Sequence, residues 1–182
     1  HNPIGLQGIE FIEFSTSSPE WMRKLFFEFG FSRKLEHSSK KIEYFNQNDV
    51  HFLINSEKGS FGNQFEILHG PCVSSMGWRV KNAKEAFAKA VELGAKPATT
   101  GDYSGKNEEK LLAIYGIGES LIYFVENWKD KDRYEEMGFV AKNIVLQKEK
   151  GFLCVDHLTN NVKQGTMGKW SDFYKKIFGF TE

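Results

Sequence analysis

A chain of 182 residues that is 40% hydrophobic and 15% aromatic has ample material for a packed core, which excludes a disordered chain. Its 24 basic and 24 acidic residues cancel, and no basic run is long enough to follow a phosphate backbone, so nucleic acid is not an expected partner. The longest apolar runs, residues 111–115 and 121–125, fall far short of the ~20 residues of a membrane span, and two separated thiols, Cys72 and Cys154, suit a reducing cytoplasm.

In chain order, the opening "HNPIGLQG" lacks the charged and apolar regions of a secretory signal, and His1 reads as the remnant of an affinity tag. Residues 8–14 have strand composition. In "SSPEWMRKLFFEFGF", Ser18 is placed as an N-cap and Pro19 at the first helical position. Trp21, Met22, Leu25, Phe26 and Phe29 recur at helical spacing before Gly30 ends the run. Strands are expected at 32–35, 41–45 and 50–54, with "NQND" as a hairpin turn. Residues 60–68 are ambiguous, with Phe61, Phe65 and Leu68 at a helical interval.

A strand at 74–80 restarts the pattern. Asn82 and Glu85 then have capping-box spacing ahead of an apolar face of Ala83, Ala86, Phe87, Ala90 and Val91, and Gly94 supplies the stop. Strands at 111–114 and 121–125 flank the turn "YGIGES". That turn fails the dinucleotide fingerprint, because its last glycine is missing and a strand follows. The charged "WKDKDRYEE" region shows no periodicity. Residues 155–158 read as a strand, and Trp170, Phe173, Tyr174 and Ile177 form a last amphipathic helix closed by Gly179.

The beginning and the end of the chain repeat one another. "GIEFIEF…LFFEFGF" matches "CVDHLTN…FYKKIFGF", which implies duplicated domains. The expected organisation is a complete domain at 1–126, a linker at 127–150, and the first strand and helix of a second domain at 151–182. Such an opening element leaves the face of Trp170, Phe173 and Ile177 in need of a new contact, with another chain as one candidate source.

Within that second copy, alternation along a strand sends Asp156 and His157 to opposite faces. A lone histidine is more often a core residue than a ligand, but the first copy has Phe11 where the second has His157, which tilts the reading toward a metal ligand. His37, His51 and His69 show no ligand spacing and are read as surface or hairpin residues. Glu10, Glu13 and Asp49 are read as solvated carboxylates without a role.

"VDHLTNNV…GTMGKWSDFYKKIFGF", with "HGPCVSSMGWRVKNAKEAF", "LGAKP" and "AIYGIGESLIYFVE", resembles 4-hydroxyphenylpyruvate dioxygenase, from about Pro3 to the last residue. The resemblance implies an α+β fold of paired βαβββ modules, the vicinal oxygen chelate arrangement, followed by the start of a second such domain. It implies that His157 is the first of three ligands to a non-haem Fe(2+) in the full-length enzyme, the other two lying on strands outside this sequence. No iron and no turnover are expected of the 182 residues alone. It further implies an aromatic 2-oxo acid and O2 as substrates, release of homogentisate and CO2 in tyrosine and phenylalanine breakdown, and a homo-oligomer.

After "DHLT" the family often continues with a histidine and "NVYRG", where this chain has Asn160, Asn161, Val162, Lys163 and Gln164. In the first domain the matching ligand positions fall on Phe11, Gly77 and Tyr123, none of them suited to ferrous iron, so this domain is expected to be a metal-free structural copy. Two other functions fit the same residues: the related 4-hydroxymandelate synthase, and a metal-free module that binds an aromatic ligand or mediates assembly.

Overall fold

The computed structural model describes residues 1–182. The first unit runs β1 (Leu6–Ser15), α1 (Pro19–Glu28), β2 (Ser32–His37), β3 (Ile42–Gln47) and β4 (Val50–Asn55). A helix α2 (Phe61–His69) leads to the second unit, β5 (Cys72–Val80), α3 (Ala83–Glu92), β6 (Ala113–Tyr115) and β7 (Leu121–Val125). With a short final strand, β8 (Phe139–Val140), all eight strands lie in one sheet of order β6-β7-β5-β1-β4-β3-β2-β8.

The order is that of two matched modules joined edge to edge. β1 pairs in parallel with β4, β5 pairs in parallel with β7, and the antiparallel β1–β5 pair forms the seam. The second module is the lighter copy, its second strand reduced to a single bridge between Pro97 and Ile114.

Strand alternation divides the sheet into two faces. One carries the helices. Met22 and Phe26 of α1 pack there on Phe45, Val50 and Ile54, while Ala86 and Ala90 of α3 pack on Met76, Trp78, Val80 and Ile122. The second face is filled by Phe11, Tyr44, Leu53, Tyr103, Tyr123, Tyr134 and Phe139.

Local chemistry explains most boundaries. Asn82 accepts the Glu85 backbone N–H at 2.9 Å, the bond expected of a capping residue. Gly30 and Gly94 follow α1 and α3 with φ of +81° and +100°, and Gly179 closes the last helix at +74°, a region that costs other residues strain. Ser18 departs from expectation. Its side chain makes no cap bond; its own N–H goes to Thr16 Oγ1, and the N–H of Ser17 goes to Glu66. The ambiguous segment is helical as α2, with Ser60 accepting the Asn63 N–H.

The region read as an aperiodic linker contains a short helix α4 (Arg133–Glu136) and a strand β8 (Phe139–Val140) that extends the sheet beside β2. Tyr134, Met137 and Phe139 are buried on the second face. These elements are too short to show a period, and only tertiary contacts reveal them.

The last helix, α5 (Met167–Phe178), finds part of its new contact within the chain itself. Ile177 and Phe178 are buried with Ile4, Trp78 and α3, and Phe173 and Tyr174 pack alongside. Residues 155–158 lie outside any strand; one isolated bridge, Asp49 to Cys154, precedes them.

Candidate functional site

His157 sits where the chain passes between the sheet and α5. It helps line a cleft of about 710 Å³ together with Leu6, Ile9, Trp78, Trp170 and Tyr174. The side chain is 74% exposed, and its Nδ1 lies 2.7 Å from Asp156 Oδ2. The sequence placed these two side chains on opposite faces of a strand. Without a ladder to impose alternation, the neighbours turn together and hydrogen-bond.

Ferrous iron held on one side by protein needs two histidines and a carboxylate. No group of three His, Cys, Asp or Glu side chains is close enough to hold an ion anywhere in the structure. Of the three ligands such a centre needs, His157 can supply one imidazole nitrogen.

The three ligand-equivalent positions of the first domain do come together. Phe11 stands opposite Gly77 across the β1–β5 pair, and Gly77 stands opposite Tyr123 across β5–β7. The Phe11 ring lies over the bare backbone of Gly77, where an added Cβ would fall 2.5 Å from Cδ1 and 3.0 Å from Cζ. Tyr103 and Tyr123 flank that ring at centroid distances of 5.6 and 6.1 Å. The Tyr123 hydroxyl is occupied as well, accepting the Asp102 N–H at 2.9 Å. Space that could admit a ligand is occupied by interlocking rings.

Three residues given no role are central to this face. Glu10 is the extra residue of a β-bulge, where Ile9 pairs with Trp78 and Phe11 with Gly77, the neighbouring residue on β5. Instead of facing solvent it is buried. It accepts from Arg79 Nε at 2.7 Å, Arg133 Nε at 2.5 Å and the Tyr134 hydroxyl at 3.0 Å. Asp49 closes the cluster, taking both terminal nitrogens of Arg79, and the Arg79 bond holds its carboxyl below the usual range.

His51, read as a surface or hairpin residue, belongs to the β3–β4 hairpin but is buried. Its Nδ1 meets the Tyr44 hydroxyl at 2.8 Å, and burial lowers its pKa. Arg79 also lies over the ring of Trp128, 4.9 Å from the centroid. Through Arg133 and Tyr134 these charges fasten α4 to the sheet.

Glu13, also read as solvated, is wholly buried. It accepts from Ser74 Oγ at 2.6 Å, Ser75 Oγ at 3.0 Å, Asn55 Nδ2 at 3.2 Å and the Tyr103 hydroxyl. Burial raises its pKa, and the charge of Asp102 adds to the rise against the lowering effect of these hydrogen bonds. One signal was available in the sequence: "GIEFIEF" sets each glutamate between apolar residues, a pattern that a half-solvated strand with one apolar face does not produce.

Two modules sharing one sheet, with matched positions converging at their seam, define a protein of the paired βαβββ class. A xylose isomerase-like TIM barrel/4-hydroxyphenylpyruvate dioxygenase fusion protein superimposes with a TM-score of 0.83 at 26% identity, over all of this chain and 29% of the other. The chain belongs to the hydroxyphenylpyruvate dioxygenase family: the model for the amino-terminal domain of that family matches residues 1–140. Protein MelA of Shewanella colwelliana is 52% identical over the whole chain and 51% of its own length. A 4-hydroxyphenylpyruvate dioxygenase of Pseudomonas aeruginosa is 37% identical over the whole chain and 52% of its own length. The chain thus spans about half the length of these curated relatives.

Proposed function

We propose that these 182 residues are the amino-terminal half of a non-haem Fe(2+) dioxygenase that converts 4-hydroxyphenylpyruvate and O2 to homogentisate and CO2. The observation that carries the reading is the 37% identity, over the whole of this chain and 52% of the relative, to a protein of that name. In this reading the metal-free domain takes in residues 1–126 together with α4 and β8, the rest of 127–150 connects, and 151–182 open the catalytic domain. His157 is the one iron ligand within the chain, and the other two come from elsewhere in the full-length protein. The filled ligand-equivalent positions Phe11, Gly77 and Tyr123 support a structural role for the first domain. A cytoplasmic homo-oligomer acting in tyrosine catabolism completes the proposal.

The test is homogentisate production by the full-length protein and by its His157→Ala variant. Loss of product and of bound iron is expected with an unchanged circular dichroism spectrum, because the side chain is mostly exposed and its hydrogen bond is to its own neighbour. Undiminished homogentisate from the variant would refute the ligand assignment. Iron held by the 182-residue chain alone at one ion per chain would refute the placement of the remaining ligands.

A further inference from the structure

Glu13 is the one wholly buried carboxyl group of the sheet with no cation in reach. Glu10, by contrast, has two guanidinium partners. Every hydrogen-bond partner of Glu13 is neutral: the hydroxyls of Ser74, Ser75 and Tyr103, and the amide of Asn55. Asn55 shares its Nδ2 between Glu13 at 3.2 Å and Asp102 Oδ2 at 3.1 Å, so a second buried carboxyl group stands across a single amide. Two like charges so placed in a low dielectric repel strongly, and one proton removes the conflict.

Partner chemistry decides which carboxyl group takes the proton. Asp102 accepts only from N–H groups: Phe61 at 2.9 Å, Gly62 at 2.9 Å and Asn55. None of these can accept a proton in return, so the arrangement suits a carboxylate. The hydroxyls around Glu13 accept as well as donate, and Ser74 Oγ continues to Ser15 Oγ at 2.6 Å, giving a carboxyl proton somewhere to point.

The remaining titratable groups around the pair are the Cys72 thiol on β5, Tyr123 on β7, Glu66 on α2, and Lys40 from the β2–β3 turn. The Lys40 ammonium donates to the backbone carbonyl of Asp102 and makes no hydrogen bond to Glu13.

We propose that Glu13 carries a proton at neutral pH, and that this proton latches the Asp102–Tyr103 loop and the first turn of α2 onto the second face of the sheet. With it, Asp102 holds the Phe61 and Gly62 amides while Tyr103 reaches Glu13, and the loop closes over Phe11 and Tyr123. Without it, two carboxylates face one another across Asn55 and the loop is pushed away. The latch is a pH-sensitive device within the metal-free half, separate from His157.

The sign follows from linkage. A carboxyl group that binds its proton more tightly folded than unfolded contributes stability below the unfolded pKa of about 4.5, and loses it as pH rises toward the folded value. Within that window the folding equilibrium constant of the wild-type chain should fall by up to about tenfold per pH unit relative to Glu13→Gln, whose amide keeps the shape without a charge to form. Urea unfolding of both from pH 5 to 9 reads this difference. Amide exchange at Phe61 and Gly62 should accelerate with pH more steeply in the wild type than in the variant. Parallel stability profiles would overturn the proposal. Should Glu13→Gln not fold, infrared spectra of the wild-type chain labelled with 13C-glutamate still decide. A neutral carboxylic acid carbonyl band at pH 7 is expected, and its absence overturns the latch.

Discussion

Gly77→Ala is the sharpest single test of the filled ligand-equivalent face. A Cβ at this position would stand 2.5 Å from Phe11 Cδ1 and 3.0 Å from Cζ, where carbon atoms normally rest about 3.5–4.0 Å apart. The ring cannot retreat, because Tyr103 packs edge-on against it and is itself tied to Glu13, while Tyr123 is tied to Asp102. One methyl group therefore overpacks a fully buried site, and the cost should fall in the upper part of the usual range, about 2–3 kcal/mol. For a domain of this size that lowers Tm by about 4–12 °C.

The assay is a double-mutant cycle by urea unfolding. Phe11→Ala alone should cost about 3–5 kcal/mol through the cavity it leaves. In that background Gly77→Ala should cost almost nothing, since its methyl group enters vacated space, so the coupling should be nearly as large as the single-mutant cost. A Gly77→Ala cost below about 0.5 kcal/mol with Phe11 present, or an equal cost in both backgrounds, would refute the claim that the ring occupies this space.

Two further outcomes follow from the local chemistry. Arg133→Met removes one of two guanidinium groups from the buried Glu10 and loosens α4, and should cost about 3 kcal/mol, at the lower end for a broken buried pair because Arg79 remains; the loss should persist in 1 M salt, by urea titration, since the pair is buried. Asn82→Ala deletes the bond to the Glu85 N–H and should cost about 1 kcal/mol, recovered in large part by Asn82→Ser, as read by thermal unfolding.

The sequence by itself determined the elements whose physics is local. Helices α1, α3 and α5 were legible because apolar spacing and a closing glycine agree within a dozen residues, joined at α3 by the Asn82 cap. The hairpins were legible because turn residues sit between apolar runs. The pairing of Phe11, Gly77 and Tyr123 was also available, since matching the modules to one another sets the register. The family resemblance rested on motifs spread along nearly the whole chain, which is why it singles out His157 for the proposed ligand role even though the surrounding segment is not a strand here.

Tertiary structure alone decided the rest. Helix α4 and strand β8 exist because Glu10 and the sheet edge hold them, so no periodicity announces them. The environments of Glu10, Glu13 and His51 were inverted for the same reason: a charge on a strand is solvated unless a partner remote in sequence covers it. Arg79, Arg133 and Tyr134 cover Glu10, while Tyr103 and Asp102 cover Glu13. Burial of charge depends on contacts between residues scores of positions apart, and composition and spacing carry no record of which distant side chain arrives.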